Sequence, residues 1–139
     1  MAIFSNEEYL SRITKTKQCM LDAGIEVLIV ADPANMNYLT GYDGWSFYVP
    51  QVVIVALDDN EPVWIGRGMD ANGAKHTTFL SPDHIIGYPD DYVQNLLKHP
   101  MNFMADYLVQ KGWDAKVIGT ELDACLLYTS DAADECVNV

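Results

Sequence analysis

Few residues of this sequence combine the type and the spacing that chemistry needs. The stretch Gly41-Tyr42-Asp43-Gly44-Trp45-Ser46-Phe47-Tyr48 puts four aromatics in or beside a glycine-rich loop. Core strands account easily for Phe47 or Tyr48, but a tryptophan between glycine and serine serves either plain packing or an interface or ligand. Further on, Gly66-Arg67-Gly68-Met69-Asp70 sets an arginine between glycines at the end of an apolar run. A guanidinium there can offer its fork to a carboxylate, or it can close a local ion pair with Asp70.

Other chemistries lack their residues. Neither G-x-G-x-x-G nor G-x-x-x-x-G-K-[ST] occurs, and the first apolar run exits into Asp32-Pro33-Ala34-Asn35, so no phosphate cradle is expected. His76, His84 and His99 stand far apart with no H-x-x-x-H, which reads as ordinary surface or half-buried histidines and no metal site. A G-x-S-x-G elbow is missing. Asp90-Asp91, following Pro89, reads most simply as a helix N-cap. The expectation is a chain with no complete active site, no catalytic residue, no metal ligand and no cofactor of its own.

Composition narrows the partners. Eight basic residues face 20 acidic ones in 139, a formal charge of −12. From 25 to 66 there are six acids and no base, and from 117 to 139 five acids and no base. Such a surface repels phosphate backbones and anionic lipid, so neither nucleic acid nor a membrane surface is an expected partner. The longest unbroken apolar run, Val52 to Leu57, falls far short of the ~20 residues a membrane span needs. Cys19, Cys125 and Cys136 show no C-x-x-C and fit free thiols in a reducing compartment. With charges scattered through Met1 to Lys17 where a signal peptide needs an apolar stretch, the expected location is the cytoplasm.

The elements that must position Trp45 and Arg67 can be read in order. Ser5-Asn6-Glu7-Glu8 is a capping box, with Leu10, Ile13, Met20 and Leu21 on one helical face and Gly24 as the stop. Glu26 to Ala31 is a buried strand. Asp32-Pro33 starts a short helix that Gly41 closes. Strands follow within 47–57 and 61–65, joined at Asp58-Asp59-Asn60, with Pro62 pointing to an edge or strand-end position. A short helix over 70–77, a strand over 84–87, a helix over 100–110 with Phe103, Met104, Tyr107 and Leu108 inward, and a strand over 116–121 complete the series. This alternation predicts an α/β layer fold built on a mixed sheet.

Asn37-Tyr38-Leu39-Thr40-Gly41-Tyr42, after the VLIVADPANM strand and turn, resembles the N-terminal domain of the creatinase/prolidase (aminopeptidase P-like, M24 pita-bread) superfamily. Within it, GYDGWSFYVPQ, GRGMDANGAK and GYPDDYVQ resemble the ectoine hydrolases, over about Phe4 to Asp123. The resemblance implies a three-layer mixed β-sheet with flanking helices, of ribonuclease-H-like form, spanning residues 1–124. It implies homodimers in which loops of this domain help close the neighbour's active site, with Trp45, Phe47 and Arg67 as contacts to a small ectoine-like substrate. It also places the catalytic residues, and any metal, in a following domain that this chain lacks. An amidine ring bearing a carboxylate suits an aromatic face plus an arginine fork. A free-standing small-molecule-binding or protein-interaction module on the same domain is the alternative.

The end of the sequence departs from that pattern. Cys125 to Glu135, CLLYTSDAADE, followed by CVNV, resembles a translated sequencing adaptor, so 125–139 is expected to be an artefactual tail. The other reading is a genuine helix with Ser130 as its N-cap.

Overall fold

The computed structural model describes residues 3–44, 46 and 49–121; the tail and its expected helix lie outside them. Helix α1 (Asn6–Ala23) begins where the capping box places it, with Ser5 Oγ accepting from the Glu8 N–H at 3.3 Å. It ends at Gly24, whose φ of 70° lets its N–H reach back to the Leu21 and Met20 carbonyls. Its inner stripe differs from the one expected. Tyr9, Ile13 and Met20 are buried, while Leu10 and Leu21 are 45% and 58% exposed. Tyr9 decides the rotation: its ring stacks on Phe79 at 5.1 Å and buries more surface than Leu10 would.

Strand β1 (Val27–Val30) leads into α2 (Pro33–Thr40), whose first turn is closed by the Asp32 carboxylate accepting from the Ala34 and Asn35 N–H groups. Strands β2 (Val52–Ala56) and β3 (Val63–Arg67) form a hairpin. Then come α3 (Ala71–Thr77), β4 (Ile85–Tyr88), α4 (Pro100–Gln110) and β5 (Ile118–Thr120). The sheet order is β4-β3-β2-β1-β5. Of the two positions open to Pro62, the strand end holds and the edge does not: β3 lies between β2 and β4, and the proline precedes the strand, where it owes no ladder bond. Asp90 and Asp91 cap no long helix either. They open a 3-10 turn, Asp90–Tyr92, and their carboxylates pair with Arg67 and Lys98.

The layers follow from alternation along the strands. On one face Val27, Ile54, Val63 and Ile65 pack under Met104 and Leu108 of α4, and Phe103 and Tyr107 join at the margin. On the other, Val30, Val53, Val55 and Trp64 pack under Met20 of α1, Met36 and Leu39 of α2, and Ala71 and Ala74 of α3. The result is a three-layer α/β/α unit with a mixed sheet: the order of elements predicts the mixed α/β layering, and the family resemblance implies the three layers. Gly66 is required within it. A Cβ there would lie 2.4 Å from the Trp64 ring, which folds over the glycine in the core.

Candidate functional site

Strand direction defines the site. β1 is parallel to β5 and β3 to β4, while β2 runs antiparallel to both β1 and β3. Four strands therefore end on one rim, where β2 begins. In open α/β sheets, ligands bind beyond the carboxyl ends of the strands. That rim carries Asp32 after β1, Arg67 at the end of β3, Asp90 after β4 and Glu121 after β5, and it receives the segment joining α2 to β2.

Arg67 is the rim's basic member. Its side chain is 20% exposed, and its Nε donates to Asp90 Oδ1 at 2.7 Å, with the Asp90 side chain 66% exposed. The hydrogen bond and charge from Arg67 hold the Asp90 carboxyl below the usual carboxylate range. The sequence pointed to Asp70 as a local partner, and the ion pair in the structure is with Asp90. Close backbone packing makes this possible. The Gly68 N–H donates to the Tyr88 carbonyl at 2.9 Å, and a Cβ on Gly87 would lie 2.8 Å from Gly68 Cα. The turns after β3 and β4 are thereby drawn together.

The α2–β2 segment is fixed at both ends. Tyr42 Oη donates to Gln51 Oε1 at 2.8 Å, and Gln51 Nε2 donates to the Gly44 carbonyl at 3.4 Å, with Tyr42 and Gln51 both buried. Burial pushes the Tyr42 phenol up to about 12, with the Asp70 charge adding to it. Asn37 Nδ2 donates to the Tyr42 carbonyl, and Tyr88 Oη donates to the Pro50 carbonyl at 2.6 Å. The phenol of Tyr88 is likewise pushed up by burial. Trp45 and Phe47 lie outside the described residues; their anchors on either side do not.

Glu121 closes the rim. One carboxylate oxygen accepts from the Ala31 and Asp32 N–H groups, each at 2.8 Å, and the other from Asn35 Nδ2 at 2.5 Å. Sequence reasoning missed Asp90, Gln51 and Glu121 as site-building residues. Asp90 and Glu121 act through partners 23 and 86–90 positions away, and Gln51 through Tyr42 and Gly44 across a loop whose path no local pattern fixes.

The opposite rim is a brace. His84 bonds Ser81 Oγ at 2.8 Å and Asp59 Oδ1 at 3.0 Å, and Lys17 donates to the Asp59 carbonyl. Trp113 Nε1 and Lys116 both hold Asp58. Burial works against ionised Asp59, but the His84 hydrogen bond and charge, with Lys111, outweigh it and keep its carboxyl below the usual range. His99 caps α4 by accepting from the Met101 N–H. Among the described residues, no three His, Cys, Asp or Glu side chains gather where they could hold a metal ion. A cleft of about 110 Å³ between the sheet and α4 is lined by apolar side chains such as Ile29, Ile54 and Met104, with no polar group to orient a ligand. Among the described residues no helix is long and apolar enough to cross a membrane.

Comparison with known proteins agrees with this architecture. The chain is 49% identical over 135 residues to the ectoine hydrolase of Halomonas elongata, covering 96% of this chain and 33% of that enzyme. It thus spans about a third of the length of the curated relatives it matches. A proline dipeptidase from Streptococcus pneumoniae superposes with a TM-score of 0.66 at 20% identity, over 91% of this chain and 82% of the other. A second structure, an Xaa-Pro aminopeptidase from Streptococcus pyogenes, gives 0.65 at 20% identity over 94% and 86%. At such identity both speak for the fold alone. The Creatinase/Prolidase N-terminal domain family matches residues 12–138, a span that runs into the tail. The chain belongs to the creatinase/prolidase N-terminal domain family.

Proposed function

We propose that this chain is the substrate-gating and dimerisation portion of an ectoine-hydrolase-like C–N hydrolase that serves ectoine degradation in the cytoplasm. The supporting observation is its 49% identity to the Halomonas enzyme across nearly its whole length. Arg67 takes the carboxylate of the substrate, and Trp45 and Phe47 offer it an aromatic face across a homodimer. Residues 1–124 form the gating domain, and 125–139 follow it as a tail. In the reaction, water oxygen bonds to the amidine carbon, the ring C–N bond breaks, and the departing nitrogen takes the proton. Activation of that water, and any metal used for it, belongs to a catalytic portion beyond this chain.

The test is direct. Purified chain mixed with ectoine shows no ring opening and only weak, millimolar binding. The longer protein from the source locus, read in frame past codon 124, opens the ring and sediments as a dimer. A natural stop after Val139, or tight saturable binding by the chain alone, overturns the reading in favour of a free-standing binding module.

A further inference from the structure

We infer that Asp90 is a specificity-determining residue: the Arg67–Asp90 pair recognises a small zwitterion, Arg67 taking its carboxylate and Asp90 its cationic nitrogen. The inference rests on the proposed role of Arg67 and adds a second pole to it.

The argument starts from the geometry of the pair. Asp90 Oδ1 lies 2.7 Å from Arg67 Nε on the rim where the strands end, so the site presents adjacent opposite charges. The two carry no net charge together. A lone anion approaching Arg67 meets Asp90, and a lone cation approaching Asp90 meets Arg67. Either pays repulsion that offsets much of its attraction. A molecule carrying both signs lies antiparallel to the pair and gains from both. The wider surface works in the same sense, because a chain of net charge −12 disfavours anions at long range.

Asp90 is also held ready. It opens a 3-10 turn in which its carbonyl accepts from the Val93 N–H at 3.0 Å. Tyr92 of that turn packs edge-on against Phe103 at 5.6 Å, rooting it on α4. Of the two adjacent acids, Asp91 pairs with Lys98, whose ammonium also lies over the Tyr92 ring. Asp90 alone of the two faces Arg67. A carboxylate so exposed, yet fixed on an ordered turn, can receive a ligand without reordering its backbone.

The experiment uses the 139-residue chain in ligand-observed NMR at millimolar ligand, while the Arg67 Nε–H signal is followed in parallel. Three rings serve as probes: ectoine as the zwitterion, pyrrolidone carboxylate as the anion and 2-methyltetrahydropyrimidine as the cation. Wild type is expected to prefer ectoine over either single-charge ring by about tenfold, and Asp90→Asn to cut its preference over the anion to about twofold. Equal binding of ectoine and the anion by wild type, or an Asp90→Asn chain that keeps the full preference, overturns the inference. If Arg67→Gln binds ectoine as wild type does, or no probe moves the Arg67 signal, the role of Arg67 itself falls, and the inference with it. Loss of ectoine binding in Arg67→Gln with discrimination unchanged in Asp90→Asn defeats the inference and leaves the Arg67 role standing.

Discussion

Glu121, at the end of β5, accepts the backbone N–H of Asp32 at 2.8 Å. The same oxygen takes the Ala31 N–H, so a side chain from one edge of the sheet satisfies the first groups beyond β1 and steadies the start of α2. Since β5 is short and largely exposed, this carboxylate is a principal tie between it and the rest of the molecule.

Glu121→Gln keeps the size but turns one acceptor into a donor facing donors. Charge-assisted bonds of this kind are worth roughly 1.5–3 kcal/mol each. Glu121→Gln is expected to lower stability by about 2 kcal/mol in urea unfolding. Hydrogen exchange should quicken first at Ile118 to Thr120. Unchanged protection there would show that β5 is held by its ladder with β1 alone.

A methyl group at position 66 has nowhere to go. With the Trp64 ring 2.4 Å from the site a Cβ would occupy, Gly66→Ala forces the indole to shift inside a packed core, at a cost of about 1–3 kcal/mol. Near-ultraviolet circular dichroism should record the indole's displacement alongside the lower urea midpoint. A midpoint equal to wild type would mean the ring has room the structure does not show.

Stability at high pH should depend on Tyr42. Its phenol is raised from 10.0 to about 12 in the folded chain, so the unfolded state loses its proton first. The contribution is complete below pH 10 and is lost as pH climbs toward 12. Tyr42→Phe should flatten this alkaline limb in a plot of unfolding free energy against pH. It should also lower stability by about 1 kcal/mol at neutral pH, because Gln51 loses its donor. An alkaline limb identical to wild type would assign the effect to Tyr88, whose phenol is also raised.

The acid limb belongs to the opposite rim. Asp59 is held below its ordinary range in the folded chain, so its contribution is present above the unfolded carboxylate pKa of about 3.9 and is lost as pH falls below it. Asp59→Asn is expected to shallow the acid limb and leave the alkaline one untouched. An unaltered acid limb would move the dependence to Asp58, whose carboxyl Lys116 holds down.

Under the proposed function, Trp45→Ala made in the longer protein should cut turnover of ectoine by about tenfold or more while the melting temperature stays within a few degrees. If thermal stability collapses and the remaining folded enzyme keeps its normal kinetics, the indole packs and does not serve the substrate.

What the sequence makes legible is whatever neighbouring residues decide. Ser5 with Glu8, Asp32 with Pro33 and Gly41, and Pro100 at the start of α4 each name an element through contacts a few residues long. The rotation of α1 about its axis was not legible, because it turns on Tyr9 meeting Phe79, seventy positions away. The same limit hid Asp90, which takes its meaning from Arg67 across 23 positions. It hid Glu121 too, which answers to Ala31 across 90. The arginine could be singled out by its glycine neighbours; its partner could not.

One reversed strand has a consequence for how such a protein can change. Had β2 run with its neighbours, the chain leaving α2 would have crossed to the far rim, and Gly41 to Gln51 would turn there, beside the Asp59 and His84 brace. Running against them, β2 returns that segment to the rim of Arg67, Asp90 and Glu121. Val49 belongs to the core, but the other positions between the Tyr42 and Gln51 anchors can change while the ladders and both cores keep their residues. Under the proposed gating role, ligand preference can drift across descendants of this fold without endangering the sheet that carries it.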